Sequence, residues 1–378
     1  MTLNKPGPLS GIKIVELAGL GPAPMGTMLL ADMGASVVRV ERPSNSDLLT
    51  TFPREFDWTT RGRPSVAADL KNPAHREWVL GLCARADVLV EGFRPGVTER
   101  LGLGPEDVSA VNPRLVYARM TGWGQTGPLA MRAGHDINYL AITGGLDAIG
   151  RKGAPPTVPL NLVGDFGGGG AYLAMGVLAA LIERQSSGKG QVIDVAMVDG
   201  ISSLMTAIHG MLAAGEWVLE RGSNLLDSGA YFYDVYQCAD NRWIAVGAIE
   251  KHFHDELMRL LGIDLGPSDP RVDRSRWPSM RAQLREKFSA RTRDEWQALL
   301  EPVDVCVSPV LNMAEASAHP HLKARATFTA VDGAWHPAPA PRFSRTPTGG
   351  LERVQEASDG PAELFSYWDS SAMNASSR

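Results

Sequence analysis

Two segments of the chain carry the residue types of acid–base chemistry. Gly134-His135-Asp136-Ile137-Asn138-Tyr139 sets an imidazole beside a carboxylate. Asn161-Leu162-Val163-Gly164-Asp165-Phe166-Gly167-Gly168-Gly169-Gly170 sets a carboxylate at the mouth of a glycine run that opens a long apolar helix. An imidazole and a carboxyl facing each other across a small substrate form a two-base arrangement. One group takes a proton from a carbon and the other returns one on the opposite face, which is the chemistry of a racemase. Each residue also has a plainer role. His135 alone reads as a surface or structural histidine, Asp136 and Asp165 as helix N-caps, and Glu250, just before Lys251-His252, as a surface acid. A helix N-terminus at Asp165 would lower its pKa.

The elements that must position these groups are legible in the hydrophobic pattern. Residues 12–17 predict a mostly buried strand, 19–24 a Gly/Pro turn and 25–33 a helix. Strands follow at 37–40, 66–70, 88–90 and 115–118, with a helix at 73–86 behind Asn72 as N-cap. Strands alternating with helices predict an α/β fold with a largely parallel sheet. Residues 171–182 predict a helix, 191–195 a strand and 197–214 a further helix. The character then changes. Residues 231–238 and 243–246 flank Ala239-Asp240-Asn241-Arg242 as a β-hairpin, and helices follow near 252–261, 276–289 and 294–300. A second, smaller α+β domain is expected there. The tail His336-Pro337-Ala338-Pro339-Ala340-Pro341 is too proline-rich for regular structure.

At 378 residues the chain is long enough for two domains and a full core. Apolar residues make up 44% and charged residues 21%, as in ordinary globular proteins. A net charge of −5 gives no basic footprint for nucleic acid. An anionic ligand therefore needs a local cluster of arginines. Cys83, Cys238 and Cys306 show no CxxC pair and no metal-ligand spacing, and read as buried thiols in a reducing compartment. No apolar run in the sequence reaches the roughly 18 residues of a membrane span, since 171–182 ends at Glu183-Arg184. The first residues lack a signal pattern and the last three are not the peroxisomal address, so a cytoplasmic protein is expected.

Gly19-x-Gly21 followed by Gly26 departs from the dinucleotide fingerprint, and Pro22 removes an N–H that would face a phosphate. A tight turn packing helix on strand is the preferred reading. Arg39, Arg42, Arg61, Arg63, Arg94 and Arg100 gather at the ends of the early strands, where open α/β sheets bind ligands. As a group they suggest a phosphorylated ligand held by bidentate bonds. His252-x-His254 has no carboxylate pattern to complete a metal site.

Together these segments resemble the α-methylacyl-CoA racemases of the family III CoA-transferase superfamily. The specific pieces are Val15-Glu16-Leu17-Ala18, Ala86-Asp87-Val88-Leu89-Val90-Glu91-Gly92-Phe93-Arg94-Pro95-Gly96 and Arg119-Met120-Thr121-Gly122-Trp123-Gly124-Gln125-Thr126-Gly127-Pro128. Gly134–Tyr139, Asn161–Gly170 and Val246-Gly247-Ala248-Ile249-Glu250 complete the set. The resemblance implies a large Rossmann-like domain from residues 1–195, a linker at 196–232 and a small domain at 233–307. A second linker at 308–319 leads to a C-terminal part, 320–378, that returns to the large domain. It implies an interlocked homodimer in which His135 and Asp165 come from one chain and Glu250 from its partner. His135 and Asp165 match the two bases, Glu250 the acid that orients the histidine, and the Asp136 N–H is a candidate donor to an enolate oxygen. Arg42, Ala68, Leu70, Arg94, Arg100 and Tyr139 match positions that contact CoA. No prosthetic group and no metal are expected, the CoA moiety arriving on an acyl-CoA substrate of lipid metabolism. Residues 47–57 form a longer stretch than the family pattern. Transferases of the superfamily use the aspartate as a nucleophile instead, so a CoA-transferase and a non-catalytic acyl-CoA-binding protein are the alternatives. Met197, Met205 and Met211 are more readily core residues than the lining of an acyl pocket.

Overall fold

The computed structural model describes residues 7–43, 53–348, 357–358 and 368. Residues 47–52 of the longer stretch lie outside these. The chain divides into two compact units. One comprises Met1–Thr143, Leu160–Leu204 and Arg325–Arg378, and the other Gly144–Pro159 and Met205–Ala324. Residues 144–159, expected in the large domain, thus belong to the smaller unit.

The larger unit is built on strands β1 (Lys13–Leu17), β2 (Ser36–Glu41), β3 (Ser65–Ala67), β4 (Val88–Glu91), β5 (Val116–Thr121) and β6 (Val192–Ala196). All pair in parallel in the order β3-β2-β1-β4-β5-β6, and Ala357–Ser358 adds a seventh strand beside β3. The sheet order reverses direction at β1, next to β4. β2 and β4 are buried along their whole length, as their valine- and leucine-rich runs predict for a sheet covered on both faces, and the charges they carry, Arg39, Glu41 and Glu91, are buried in ion pairs. Val15, Leu17, Val38, Val40, Val79 and Leu89 form one core cluster with Trp368, so the end of the chain packs into the unit where the chain begins.

The glycine run departs from expectation. Residues Leu162–Ala171 form a π-helical stretch that leads into the α-helix Tyr172–Ser187. The resulting helix, Leu162–Ser187, has 26 residues and contains an 18-residue stretch with a mean hydropathy of 1.4, long and apolar enough to span a membrane by length and composition. The sequence-based limit at Glu183 is therefore corrected. The helix is nonetheless part of the core of the α/β unit, burying Leu173, Ala174, Val177 and Leu181. The glycines are there for close approach. A Cβ at Gly26 would lie 2.8 Å from Gly170 O, and one at Gly168 2.9 Å from Ile201 N. Side chains at these positions would force apart the helices Pro22–Asp32, Leu162–Ser187 and Met197–Leu204.

The smaller unit contains a three-stranded sheet, β7 (Tyr233–Gln237), β8 (Trp243–Gly247) and β9 (Val307–Pro309), antiparallel throughout. Helices Lys251–Leu261, Trp277–Phe288 and Arg293–Leu300 bury Leu257, Met258, Leu284, Phe288, Trp296 and Leu300 against it. The 308–319 stretch, expected as a linker, holds the end of β9 and the helix Met313–Ala318. The proline-rich tail also differs, since His336 and Pro337 end a hairpin strand, Ala334–Pro337, paired with Phe328–Val331.

Three of the six clustered arginines turn out to be structural. Arg63 is fully buried and donates to Glu16 at 2.5 Å and to Thr27. Arg39 binds Glu16 on one side and Glu41 on the other. Arg61 pairs with Asp32 and donates to Pro337 O. They are held inside the sheet by carboxylates, so the reading of these three as ligand-binding groups is corrected. Burial pulls the Arg63 pKa down, against the attraction of Glu16. Glu16→Gln would strip Arg63 of its counter-charge in the core. Removal of one partner from such a pair costs about 3–5 kcal/mol, and urea unfolding should show a loss of that order.

Candidate active site

His135 is the N-cap of the helix Asp136–Ile142, with extended backbone (φ −131°), and its N–H donates to Asn138 Oδ1 at 3.0 Å. Asp136 is therefore the first helical residue, not the cap. This geometry leaves the imidazole exposed and the Asp136 carboxylate buried. As the first residue of the helix, Asp136 has an N–H with no intrahelical acceptor. Tyr139, one turn on, is 6% exposed; its hydroxyl donates to Gly134 O at 2.5 Å and its ring meets Trp123 edge-on at 4.6 Å. It thus clamps the loop that delivers His135. Gly134 and Gly122 are glycines because a Cβ at either would run into the Tyr139 ring.

Asp165 lies within the π-helical stretch and is half-buried. π-helical turns recur at functional sites, where they re-aim a side chain. The Asp165 N–H donates to Asp136 Oδ2 at 2.8 Å. A Cβ at Gly21 would stand 2.8 Å from Asp165 Oδ2, so the carboxyl rests against the left-handed turn (φ +63°) that starts the helix Pro22–Asp32. The first residue of that helix is a proline, which has no N–H to offer a carboxylate. Burial first, and then the charge of Asp136, push the Asp165 pKa up; a hydrogen bond from Asn161 and the charge of His135 pull it down, and the net shift is upward. The N-terminal lowering expected from the sequence is thus outweighed. Burial, then Asp165, raises Tyr139 to about 12, with Arg94 opposing.

The residues matched to CoA contacts follow the C-terminal edge of the sheet. Arg42 comes directly after β2, Ala68 and Leu70 after β3, and Arg94 after β4, with Arg100 in the short helix Val97–Arg100. Arg42, Arg94 and Arg100 are exposed, Leu70 is half-buried and Ala68 is buried, with its N–H bonded to Glu41 O at 2.7 Å. Sequence reasoning passed over the group that holds the Arg94 loop. Buried Glu91 accepts from Phe93 N–H at 2.7 Å and from Arg119 Nε at 2.8 Å, and Arg119 continues to Glu99. Two charges inside otherwise apolar strands were the available signal.

Glu250 lies in the smaller unit as the exposed N-cap of the helix Lys251–Leu261, and its charge bears on Cys306. Cys306 is exposed, so the reading of all three cysteines as buried holds only for Cys83 and Cys238. His254 is a buried core residue, bonded to Tyr231 Oη at 2.7 Å. Among the described residues, no group of three or more His, Cys, Asp or Glu side chains is placed to hold a metal. Met197 is buried, whereas Met205 lines an apolar cleft of about 700 Å³ in the smaller unit with Ile149, Ile208, Trp217, Tyr233 and Val235.

A parallel α/β sheet with exposed arginines in the loops at its C-terminal edge, a glycine-lined helix carrying an aspartate, and a separate small α+β unit define a class of fold. The family model of CoA-transferase family III matches residues 9–355, and the chain belongs to that family. Among solved structures, a CAIB/BAIF family protein from Brucella suis is similar with a TM-score of 0.83 at 28% identity, over 97% of this chain and 100% of that one. Within the family, the chain is 45% identical to an alpha-methylacyl-CoA racemase of Mus musculus and 43% identical to one of Homo sapiens. Each match covers 90% of this chain and 87% of the relative. An acetyl-CoA:oxalate CoA-transferase of Acetobacter aceti is 32% identical over 84% of this chain and 85% of its own length.

Proposed function

We propose that the protein is an α-methylacyl-CoA racemase, interconverting the 2R and 2S epimers of 2-methylacyl-CoA thioesters. The observation that carries this reading is the Asp165 carboxyl, half-buried against the Gly21 turn in a π-helical stretch whose Asp165 N–H is bonded to Asp136, the residue next to His135. The similarity to the mouse and human racemases supports it.

The thioester carbonyl acidifies the α-proton. Starting from the S epimer, neutral His135 takes that proton, and the C–H electron pair moves into the carbonyl to give a planar enolate. Protonated Asp165 then delivers its proton to the opposite face of the α-carbon, leaving His135 charged and Asp165 ionised. The R epimer reacts in the reverse sense. The pair thus carries one proton in each productive state. A raised Asp165 pKa favours a proton on that carboxyl, which delivery to the α-carbon needs. The free Asp136 N–H, at a helix start, is the donor for the enolate oxygen. Arg42, Arg94 and Arg100, with the backbone at Ala68 and Leu70, hold the CoA portion along the sheet edge.

Glu250 is the acid that orients the imidazole, supplied by a second chain in an interlocked homodimer. Exposed Leu160, Leu162, Met175 and Ile182 in the larger unit support such an interface. The alternative, CoA transfer through an aspartyl anhydride, draws on the family and on Asp165 alone, and leaves His135 without a role.

The test uses one epimer of a 2-methylacyl-CoA in heavy water with no acceptor acid. Loss of stereochemical purity with α-deuterium uptake is the expected outcome. No uptake, followed by CoA transfer once a free carboxylic acid is added, would replace the racemase reading with the transferase.

A further inference from the structure

The Asp136 side chain is one of the few buried carboxylates near the site with an unused oxygen. Oδ2 accepts the Asp165 N–H at 2.8 Å, while Oδ1 is buried with no hydrogen-bond partner. The approach is deliberate in the backbone, since a Cβ at residue 164 would collide with Asp136 Oδ2 and the chain has glycine there. A buried carboxylate oxygen left unpaired costs stability, and an amide at this position would hold the same N–H without the charge. The charge itself is what needs a reason.

We propose that the Asp136 carboxylate is a positioning residue for racemisation: it fixes the Asp165 main chain through Oδ2 and sets a negative charge beside the reacting carboxyl, so that Asp165 keeps its share of the single catalytic proton. This rests on the racemase reading above. It differs from the role of the Asp136 main chain, which faces the enolate.

The other groups around Asp165 do not supply this effect. Asn161 and His135 act in the opposite direction. Tyr139 is neutral and bonded to Gly134 O, and Arg94 bears on Tyr139. The first turn of the helix Pro22–Asp32 carries no acidic residue. Tyr172, at the start of the following helix, is bonded to Ser203 at 2.6 Å, and Asp199 on the helix Met197–Leu204 is exposed. Burial favours a proton on Asp165 first, and the negative charge that adds to it is that of Asp136.

Asp136→Asn tests this, because the amide oxygen still accepts the Asp165 N–H. The acid limb of the kcat–pH profile should move to lower pH by about one unit, the change equivalent to a tenfold loss of proton affinity at Asp165. Within the single-proton state the proton moves toward His135. The direction that starts from protonated Asp165 should therefore lose about tenfold in kcat, and the opposite direction should change less. A purely structural role would lower both directions together and leave the acid limb in place. That result, in a folded variant alongside an active wild type, would overturn the proposal. An inactive wild type would instead count against the racemase reading. Should Asp136→Asn melt below the assay temperature, Gly164→Ala carries the test, since it displaces the Asp136 carboxylate and leaves every titrating group in the chain. A loss concentrated in the direction that starts from protonated Asp165, with retained folding, supports the proposal; an equal loss in both directions, or unchanged exchange, overturns it.

Discussion

Replacing His135 by alanine is expected to abolish racemisation, with a loss of about 10²- to 10⁴-fold, the usual worth of one positioned acid–base group. The side chain is exposed at a helix N-cap whose hydrogen bond uses the main chain. The variant should therefore fold normally and bind substrate with little change in KM. Asp165 remains, so the R epimer should still exchange its α-proton with solvent and be reprotonated on the same face. Chiral analysis combined with α-deuterium uptake reads both effects: exchange without inversion for one epimer, neither for the other. Full racemisation in this variant would remove His135 from the mechanism.

Asp165→Asn should have an effect of the same order on the opposite face, leaving slow exchange of the S epimer through His135. Asparagine occupies nearly the same space against the Gly21 turn and keeps the main-chain N–H bonded to Asp136, so the fold should survive. The pH profile adds an independent check. In the wild type, both groups hold protons below the acid limb and neither does above the alkaline limb, giving a bell for the coupled pair. With Asp165 gone, one of the two ionisations is lost, and residual S-epimer exchange should no longer be bell-shaped. A retained bell would assign the second limb to another group. Addition of a free acid should yield no CoA transfer in either variant.

Much of the fold could be read in advance because the signals were local. The buried runs of β2 and β4 and the hairpin around Asp240-Asn241 declare themselves within a few residues. His135, Asp136 and Asp165 were visible as reactive types beside helix starts. What stayed hidden depends on partners distant in sequence. Nothing near Arg63 announces that Glu16, 47 positions earlier, neutralises it inside the sheet. The arginine cluster was thus read as six ligand groups when three are structural. The π-helical winding of the glycine run is equally non-local, since it is imposed by the close approach of neighbouring helices to Gly168 and Gly170. The same winding begins at Leu162, so Asp165 lies in the first turn of the helix and not at the cap where the sequence alone places it.

The strand Ala357–Ser358 pairs with β3, whose partner residue Ser65 was made roughly 290 residues earlier; at bacterial or eukaryotic elongation rates of about 5–20 residues per second, that is about 15–60 s of synthesis. Throughout that interval the nascent larger unit carries an open edge at β3 and a core lacking Trp368. An unpaired edge is a template for pairing with other chains. On crowded polysomes, neighbouring nascent chains would compete for it, so slow translation between β3 and residue 357 would cost yield, and holdase chaperones would be most useful before residues 357–368 emerge.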